Sequence, residues 1–189
     1  VEGEETLDLI LRTRVLLLQA RRGYRANADS MLLPFYAARR VATAMNAAER
    51  GDDAAPLPSP PKHLADVGCG NGLVGILAAL HWQGAKVHLF ERQPSLAKLA
   101  ERNLRLNGIV LAGDDAEAYA EASRASVTVC DLGATPSSYP HNTFDGVLCN
   151  PPFYIQGSQG RHRPKSSQKS DAHFESTLGI DGFVKVIAD

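Results

Sequence analysis

Asn150-Pro151-Pro152-Phe153 combines residue types suited to holding an amine. The residue before a proline is pushed into extended geometry, so Asn150 continues the direction of the apolar run 144–149 ahead of it. Pro151 and Pro152 lack a backbone N–H, so the segment offers carbonyls and few donors. The Asn150 side-chain oxygen adds an acceptor, and Phe153 adds a flat apolar face. Two acceptors beside an aromatic plate fit a planar ring carrying an exocyclic amino group. The competing reading is a strand-ending turn with Phe153 in the core.

A second group of residues is suited to a small ligand. In Asp66-Val67-Gly68-Cys69-Gly70-Asn71-Gly72, the glycines permit positive φ and let a ligand approach the backbone. The loop follows an apolar run, at the carboxyl end of a strand, where open α/β sheets bind ligands. Glu91 ends the next run, where a carboxylate can accept hydrogen bonds from both hydroxyls of a ribose. Asp131 ends the third and could meet an adenine edge. Gly70-x-Gly72-x-x-Gly75 also satisfies a dinucleotide fingerprint, which leaves a nicotinamide oxidoreductase open. Asp66 weighs against it, because negative charge beside the loop suits a cationic ligand better than a pyrophosphate. The bland alternative is that the glycines only permit tight helix–strand packing.

Taken in this order, Asp66-x-Gly68-x-Gly70-x-Gly72, Glu91, Asp131 and Asn150-Pro151-Pro152-Phe153 resemble class I S-adenosylmethionine-dependent methyltransferases. The Asn-Pro-Pro-Phe form is similar to the branch that methylates amino nitrogens of adenine, guanine or glutamine. Gly23-Tyr24-Arg25-Ala26-Asn27-Ala28-Asp29-Ser30-Met31-Leu32-Leu33 resembles the segment ahead of the glycine loop in bacterial adenine-N6 methyltransferases of valine tRNA. Ala172-His173-Phe174-Glu175 loosely resembles a later segment there, so the likeness covers roughly residues 14–175. The resemblance implies that Gly68, Gly70 and Gly72 pass under the methionine part of the cofactor and that Asp66 lies near its amino group. It implies Glu91 on the ribose, Asp131 on the adenine amino group, and Tyr24, Arg25 and Asp29 closing the pocket. For the last three the alternative is an ordinary helix entry with Asp29 as cap.

On that reading Asn150 and the Pro151 carbonyl each accept one amine hydrogen, which turns the nitrogen lone pair toward the methyl group. Phe153 stacks on the base and Tyr154 extends the platform. The acceptor this favours is adenine N6 in tRNA. Guanine N2 in rRNA, a protein glutamine and an oxygen acceptor stay open within methyl transfer, and a non-catalytic RNA-binding module stays open outside it.

These residues need elements to hold them. Residues 14–19 predict a short strand, and a helix is expected from Asp29 to about Ala48 with Leu32, Leu33, Tyr36 and Ala37 on one face. Residues 51–62 hold Gly51 and four prolines and make a linker. Strands are predicted over His63–Val67, Lys86–Phe90, Val127–Cys130 and 144–149. Helices are predicted over Leu73–Trp82, from Pro94 to a stop at Gly108, and briefly over 114–125. Strand–loop–helix alternation predicts a doubly wound α/β sheet. The organisation is an N-terminal extension at 1–50, a linker at 51–62 and a core at 63–189. A methyltransferase sheet normally adds three strands after Asn-Pro-Pro-Phe. Residues 156–172 read as a loop and about 174–188 as a helix, so the core is expected to be incomplete at its C-terminal end.

Apolar residues at 44% and charged residues at 22% are ordinary for a soluble globular chain of 189 residues, and no run is long enough to cross a membrane. Cys69, Cys130 and Cys149 lack Cys-x-x-Cys spacing and read as reduced, buried thiols of a cytoplasmic protein. Cys149 has no evident base and reads as a core thiol. The six histidines lack metal-ligand spacing, so no metal is expected. The net charge of −1 does not advertise nucleic acid. Yet Arg12, Arg14, Arg21, Arg22 and Arg25 form one acid-free stretch, and Arg161, Arg163, Lys165 and Lys169 another. Both are candidate phosphate contacts. Lys98, Arg102 and Arg105 share a helix face and are expected to be solvated. The sequence leaves the oligomeric state open.

Overall fold

A computed structural model describes residues 4–12, 14–23, 25–49, 59–113, 124–131 and 143–151. Tyr24, Phe153, Tyr154, Arg161, Arg163 and the elements expected at 156–172 and 174–188 lie outside them, as do residues 114–123 of the helix expected over 114–125, whose last residue, Ala125, instead begins a strand.

Alternation at period two builds the central sheet. In the strands β3 (His63–Val67), β4 (Lys86–Glu91), β5 (Ala125–Val129) and β6 (Gly146–Cys149), Leu64, Val87, Leu89, Ala125 and Leu148 face one side. Ala65, Val67, Phe90 and Val147 face the other. All pairings are parallel, in the order β5-β4-β3-β6. The helices α2 (Leu73–His81) and α3 (Pro94–Leu106) bury their apolar faces against the Leu64–Leu148 side. This is a Rossmann-like α/β sheet. The chain runs from β3 outward through β4 and β5, then returns to place β6 on the other flank of β3. The order therefore reverses between β3 and β6, which is where open α/β sheets bind ligands.

Ahead of the sheet stand an antiparallel hairpin, β1 (Glu5–Ile10) with β2 (Val15–Ala20), and a long helix, α1 (Ala28–Glu49). The first strand has no counterpart in the sequence reading, for a physical reason. Its apolar Leu7 and Leu9 are exposed while polar Thr6 and Asp8 turn toward Gln19 and Arg25. The hairpin turn carries Leu11 and Arg12 at positive φ instead of an Asn-Gly or Gly-Gly signal.

Helix α1 corrects two expectations. Its cap is Asn27, whose Oδ1 accepts the Ser30 N–H at 3.0 Å, and Asp29 is an exposed residue of the first turn. Its inward stripe runs through Ser30, Pro34 and Ala38, while Leu32 and Tyr36 are 62% and 65% exposed. Leu33 and Ala37 of the expected face do pack against the core, so only its Leu32–Tyr36 edge is turned to solvent.

On α3, Leu96, Leu99, Ala100 and Leu104 are buried as their spacing predicts, and Gly108 ends the helix region at φ 72°. Arg102 is not a solvated cation. Its guanidinium grips Glu5 of the hairpin with both terminal nitrogens, at 2.6 and 2.9 Å.

Candidate active site

The sheet register sets the site. Val67 lies opposite Phe90 on one side and Cys149 on the other, and Glu91 lies opposite Val129. Gly68, Glu91, Asn150 and Asp131 therefore emerge along one edge, at the carboxyl ends of neighbouring strands. Gly68 leads the loop at the point where strand order reverses.

The loop is held by backbone and by carboxylates. Gly68 N–H and Cys69 N–H both donate to the Phe90 carbonyl, at 2.9 and 3.0 Å. Gly68, Gly70 and Gly72 have φ of 70°, 57° and 84°, a region costly for side-chain-bearing residues. Glu91, 7% exposed, accepts the Gly70 N–H on one oxygen and the Gln93 N–H on the other, each at 2.8 Å. A carboxylate oxygen has two lone-pair directions, so each retains one for a ligand hydroxyl.

Asp66 points into the start of α2. Its Oδ2 accepts the Gly75 N–H at 2.8 Å, replacing the side-chain cap that Gly72 cannot provide. At 1% exposure, burial pushes its carboxyl up to about 7; the Gly75 hydrogen bond opposes this and the nearby Glu91 adds to it. Two acids, Glu91 and Asp66, thus hold the backbone of the glycine loop and of the α2 start from beneath.

Two of the glycines also serve packing. A Cβ on Gly75 would lie 2.8 Å from Leu89 Cδ2, and one on Gly72 3.0 Å from Ala100 Cβ. The packing reading therefore applies to Gly72 and Gly75. Gly68, by contrast, is exposed at the mouth of the loop.

Asn150 and Pro151 are part-buried at the end of β6. Asn150 Nδ2 donates to Ser30 Oγ at 2.8 Å, which ties the motif to the first turn of α1. Asp131 sits 4.0 Å from Arg92 in a loose ion pair. The Arg25 guanidinium is committed to the hairpin, donating to Asp8, to Thr6 Oγ1 and to the Ala20 carbonyl. Cys69 is buried, while Cys130 and Cys149 are half-buried, a departure from the expectation of three buried thiols. Burial and the neighbouring Asp66 push the Cys149 thiol up to about 12, so it is no nucleophile at neutral pH.

Several residues here were not singled out from sequence. Asn71, in the loop, donates to Gln19 Oε1 at 3.2 Å, and its carbonyl accepts from Asn103 Nδ2 at 2.9 Å. Gln19 Oε1 also accepts the Ala26 N–H at 2.8 Å. Such amides carry no local signal because their partners are 7 to 52 positions away.

A model of the methyltransferase small domain family matches residues 54–163. The tRNA1(Val) (adenine(37)-N6)-methyltransferase of Shewanella halifaxensis is 29% identical over 126 residues, covering 67% of this chain and 44% of that protein. The ribosomal RNA large subunit methyltransferase G of Erwinia tasmaniensis is 30% identical over 99 residues, covering 52% and 23%. The chain thus spans less than half the length of these relatives in the matched regions. Among solved structures, the Pyrococcus abyssi tRNA (uracil-54, C5)-methyltransferase in complex with S-adenosyl-L-homocysteine is similar at a TM-score of 0.47. It is 19% identical, with 79% of this chain and 29% of that one covered. The matched span runs through the glycine loop, Glu91, Asp131 and Asn150, the residues that the parallel register brings to one edge, and the chain belongs to the methyltransferase small domain family.

Proposed function

We propose that the chain transfers a methyl group from S-adenosylmethionine to an exocyclic amino nitrogen of an RNA base, with adenine N6 in tRNA as the acceptor. The observation that carries this is the meeting of the acid-braced glycine loop and Asn150 at the reversal point of the sheet. The donor, when bound, supplies an electrophilic methyl group on a sulfonium. Gly68, Gly70 and Gly72 would hold its methionine part, with Asp66 near the amino group, Glu91 at the ribose and Asp131 at the adenine. Arg25 and Asp29 would close this pocket from the N-terminal side.

Two features support a cationic ligand over a pyrophosphate. The Glu91 carboxylate lies beneath the loop, and a cationic ligand would draw the buried Asp66 into its ionised form beside it. Asp66 also occupies the Gly75 N–H, one of the α2 donors that a phosphate would otherwise use.

Asn150 Oδ1 and the Pro151 carbonyl accept the two hydrogens of the substrate amine. This aims the nitrogen lone pair and stabilises the positive charge that grows on nitrogen as the N–C bond forms and the S–C bond breaks. One amine proton then leaves to water, so no strong base is needed. Phe153 and Tyr154 give the base a stacking surface worth about 1–3 kcal/mol per contact. Arg161 and Arg163 contact RNA phosphates.

The test is transfer of tritiated methyl from S-adenosylmethionine to an unmodified tRNA1(Val) transcript, followed by nuclease digestion. Label in N6-methyladenosine is expected. Bound cofactor with no label in any tRNA would overturn the acceptor assignment. The similarity to ribosomal RNA large subunit methyltransferase G favours a second reading, an acceptor base in large-subunit rRNA, which a large-subunit rRNA transcript tests in the same assay.

A further inference from the structure

We infer that Ser30 is a positioning residue that sets which way round the Asn150 carboxamide sits; this rests on Asn150 acting as the amine acceptor proposed above. A carboxamide is nearly symmetric in shape but not in chemistry. With Oδ1 toward the substrate amine it accepts a hydrogen; turned by 180° it presents N–H groups to N–H groups and repels the substrate. Backbone placement alone does not choose between the two.

A chain of hydrogen bonds makes the choice, and a backbone N–H anchors its polarity. Asn27 Oδ1 accepts the Ser30 backbone N–H at 3.0 Å, and a backbone N–H can only donate. Asn27 Nδ2 faces Asp29 Oδ2 at 3.4 Å. The oxygen of Asn27 is therefore fixed toward Ser30. Ser30 Oγ lies 3.1 Å from that same oxygen, which can only accept, so the hydroxyl hydrogen is spent there. Ser30 Oγ is left as an acceptor, and the group facing it at 2.8 Å must donate: Asn150 Nδ2. Oδ1 is thereby left as the free end for a substrate amine. Ser30 is only 2% exposed, so water competes poorly for its hydroxyl. The relay spans 120 positions of sequence and runs from the first turn of α1 to the end of β6.

The experiment compares single-turnover methyl transfer, with S-adenosylmethionine and the tRNA1(Val) transcript, in wild type, Ser30→Ala, Ser30→Thr, Asn150→Ala and the Ser30→Ala/Asn150→Ala double variant. S-adenosylhomocysteine affinity is measured by calorimetry in each. Ser30→Ala should slow transfer about tenfold, the lower end of what losing an orienting partner costs. Its S-adenosylhomocysteine affinity should stay within about twofold of wild type, and Ser30→Thr, which keeps the hydroxyl, should recover most of the rate. In the Asn150→Ala background, Ser30→Ala should have no further effect, because there is no amide left to orient.

A slow Asn150→Ala with a wild-type Ser30→Ala overturns the relay and leaves the proposed function standing. A wild-type Asn150→Ala overturns the proposed role of Asn150 itself. Additive losses, or a parallel fall in S-adenosylhomocysteine affinity, would assign Ser30 to structure alone. A readout independent of turnover is the Asn150 side-chain amide signal in 15N NMR, identified by its loss in Asn150→Ala. It should shift and exchange faster with water in Ser30→Ala, and an unchanged signal overturns the inference.

Discussion

At the scale of single residues, Asp66 is where folding and ligand binding compete. Its carboxyl is raised from 3.8 to about 7 by burial, so the fold favours the neutral acid. The unfolded chain ionises near the ordinary value. The stability that this contributes is therefore complete below about pH 4 and is lost as pH rises through about 7, a change of about 4 kcal/mol for a shift of this size. Urea unfolding at pH 5 and pH 8 should show the ligand-free protein weaker at the higher pH. Asp66→Asn, which can still accept the Gly75 N–H, should flatten that difference. A positively charged ligand favours the ionised acid, so S-adenosylmethionine affinity should rise over the same interval in wild type and not in Asp66→Asn. Affinity that is flat with pH in wild type would show that Asp66 does not sense the ligand's charge. At the same scale, Asn150→Ala should lower the methyl-transfer rate about a hundredfold while S-adenosylhomocysteine still binds, the size expected for losing one oriented transition-state contact.

At the scale of elements, the hairpin is attached to α3 by asparagines. Asn107, the residue that caps the end of α3, and Asn103, one helical turn before it, face Leu16 and Leu18, two positions apart on β2. Each carboxamide accepts the strand N–H and donates to the strand carbonyl, at 3.0 and 2.7 Å for Leu16 and 2.7 and 3.0 Å for Leu18. Side chains thus act as a neighbouring strand for the free edge of β2. Asn103, fully buried, reaches onward to the Asn71 carbonyl in the glycine loop, so the same residue braces hairpin and loop. Asn103→Leu keeps the volume and strands these groups, which should cost about 3 kcal/mol in urea unfolding and weaken S-adenosylhomocysteine binding as well. Gly75→Ala should cost about 1–3 kcal/mol, because the added methyl meets Leu89 at 2.8 Å and the Asp66 carboxylate at 3.2 Å. An α2 that accepts alanine without loss would mean that Leu89 yields easily. The regular elements were legible because their spacing is local: β3, β4, α2 and α3 fall within a residue or two of their expected bounds. The first strand was not legible, because its apolar residues face outward and its polar ones are used inside.

At the scale of the whole molecule, charge is placed more telling than its sum. Arg14, Arg21 and Arg22 are exposed at the two ends of the hairpin, on an element that α3 fixes beside the loop. Arg21→Glu/Arg22→Glu should weaken tRNA binding and lower the slope of log affinity against log salt by about 2, one per lost phosphate contact. A slope equal to wild type would remove the hairpin from the RNA surface. The sequence by itself determined the chemistry that was available: a glycine loop with an acid before it, acids ending two later strands, and an asparagine locked in extended geometry by a proline. Each is a local property, because φ preferences, strand period and donor counts depend on near neighbours. Tertiary structure alone decided how those groups are held. Register brought Gly68, Glu91 and Asn150 to one edge, burial raised Asp66, and Arg25 and Arg102 were drawn into hairpin contacts. Ser30, from a helix 120 positions away, came to face Asn150. Burial and long-range hydrogen bonding exist only once distant segments meet, so no spacing along the chain encodes them.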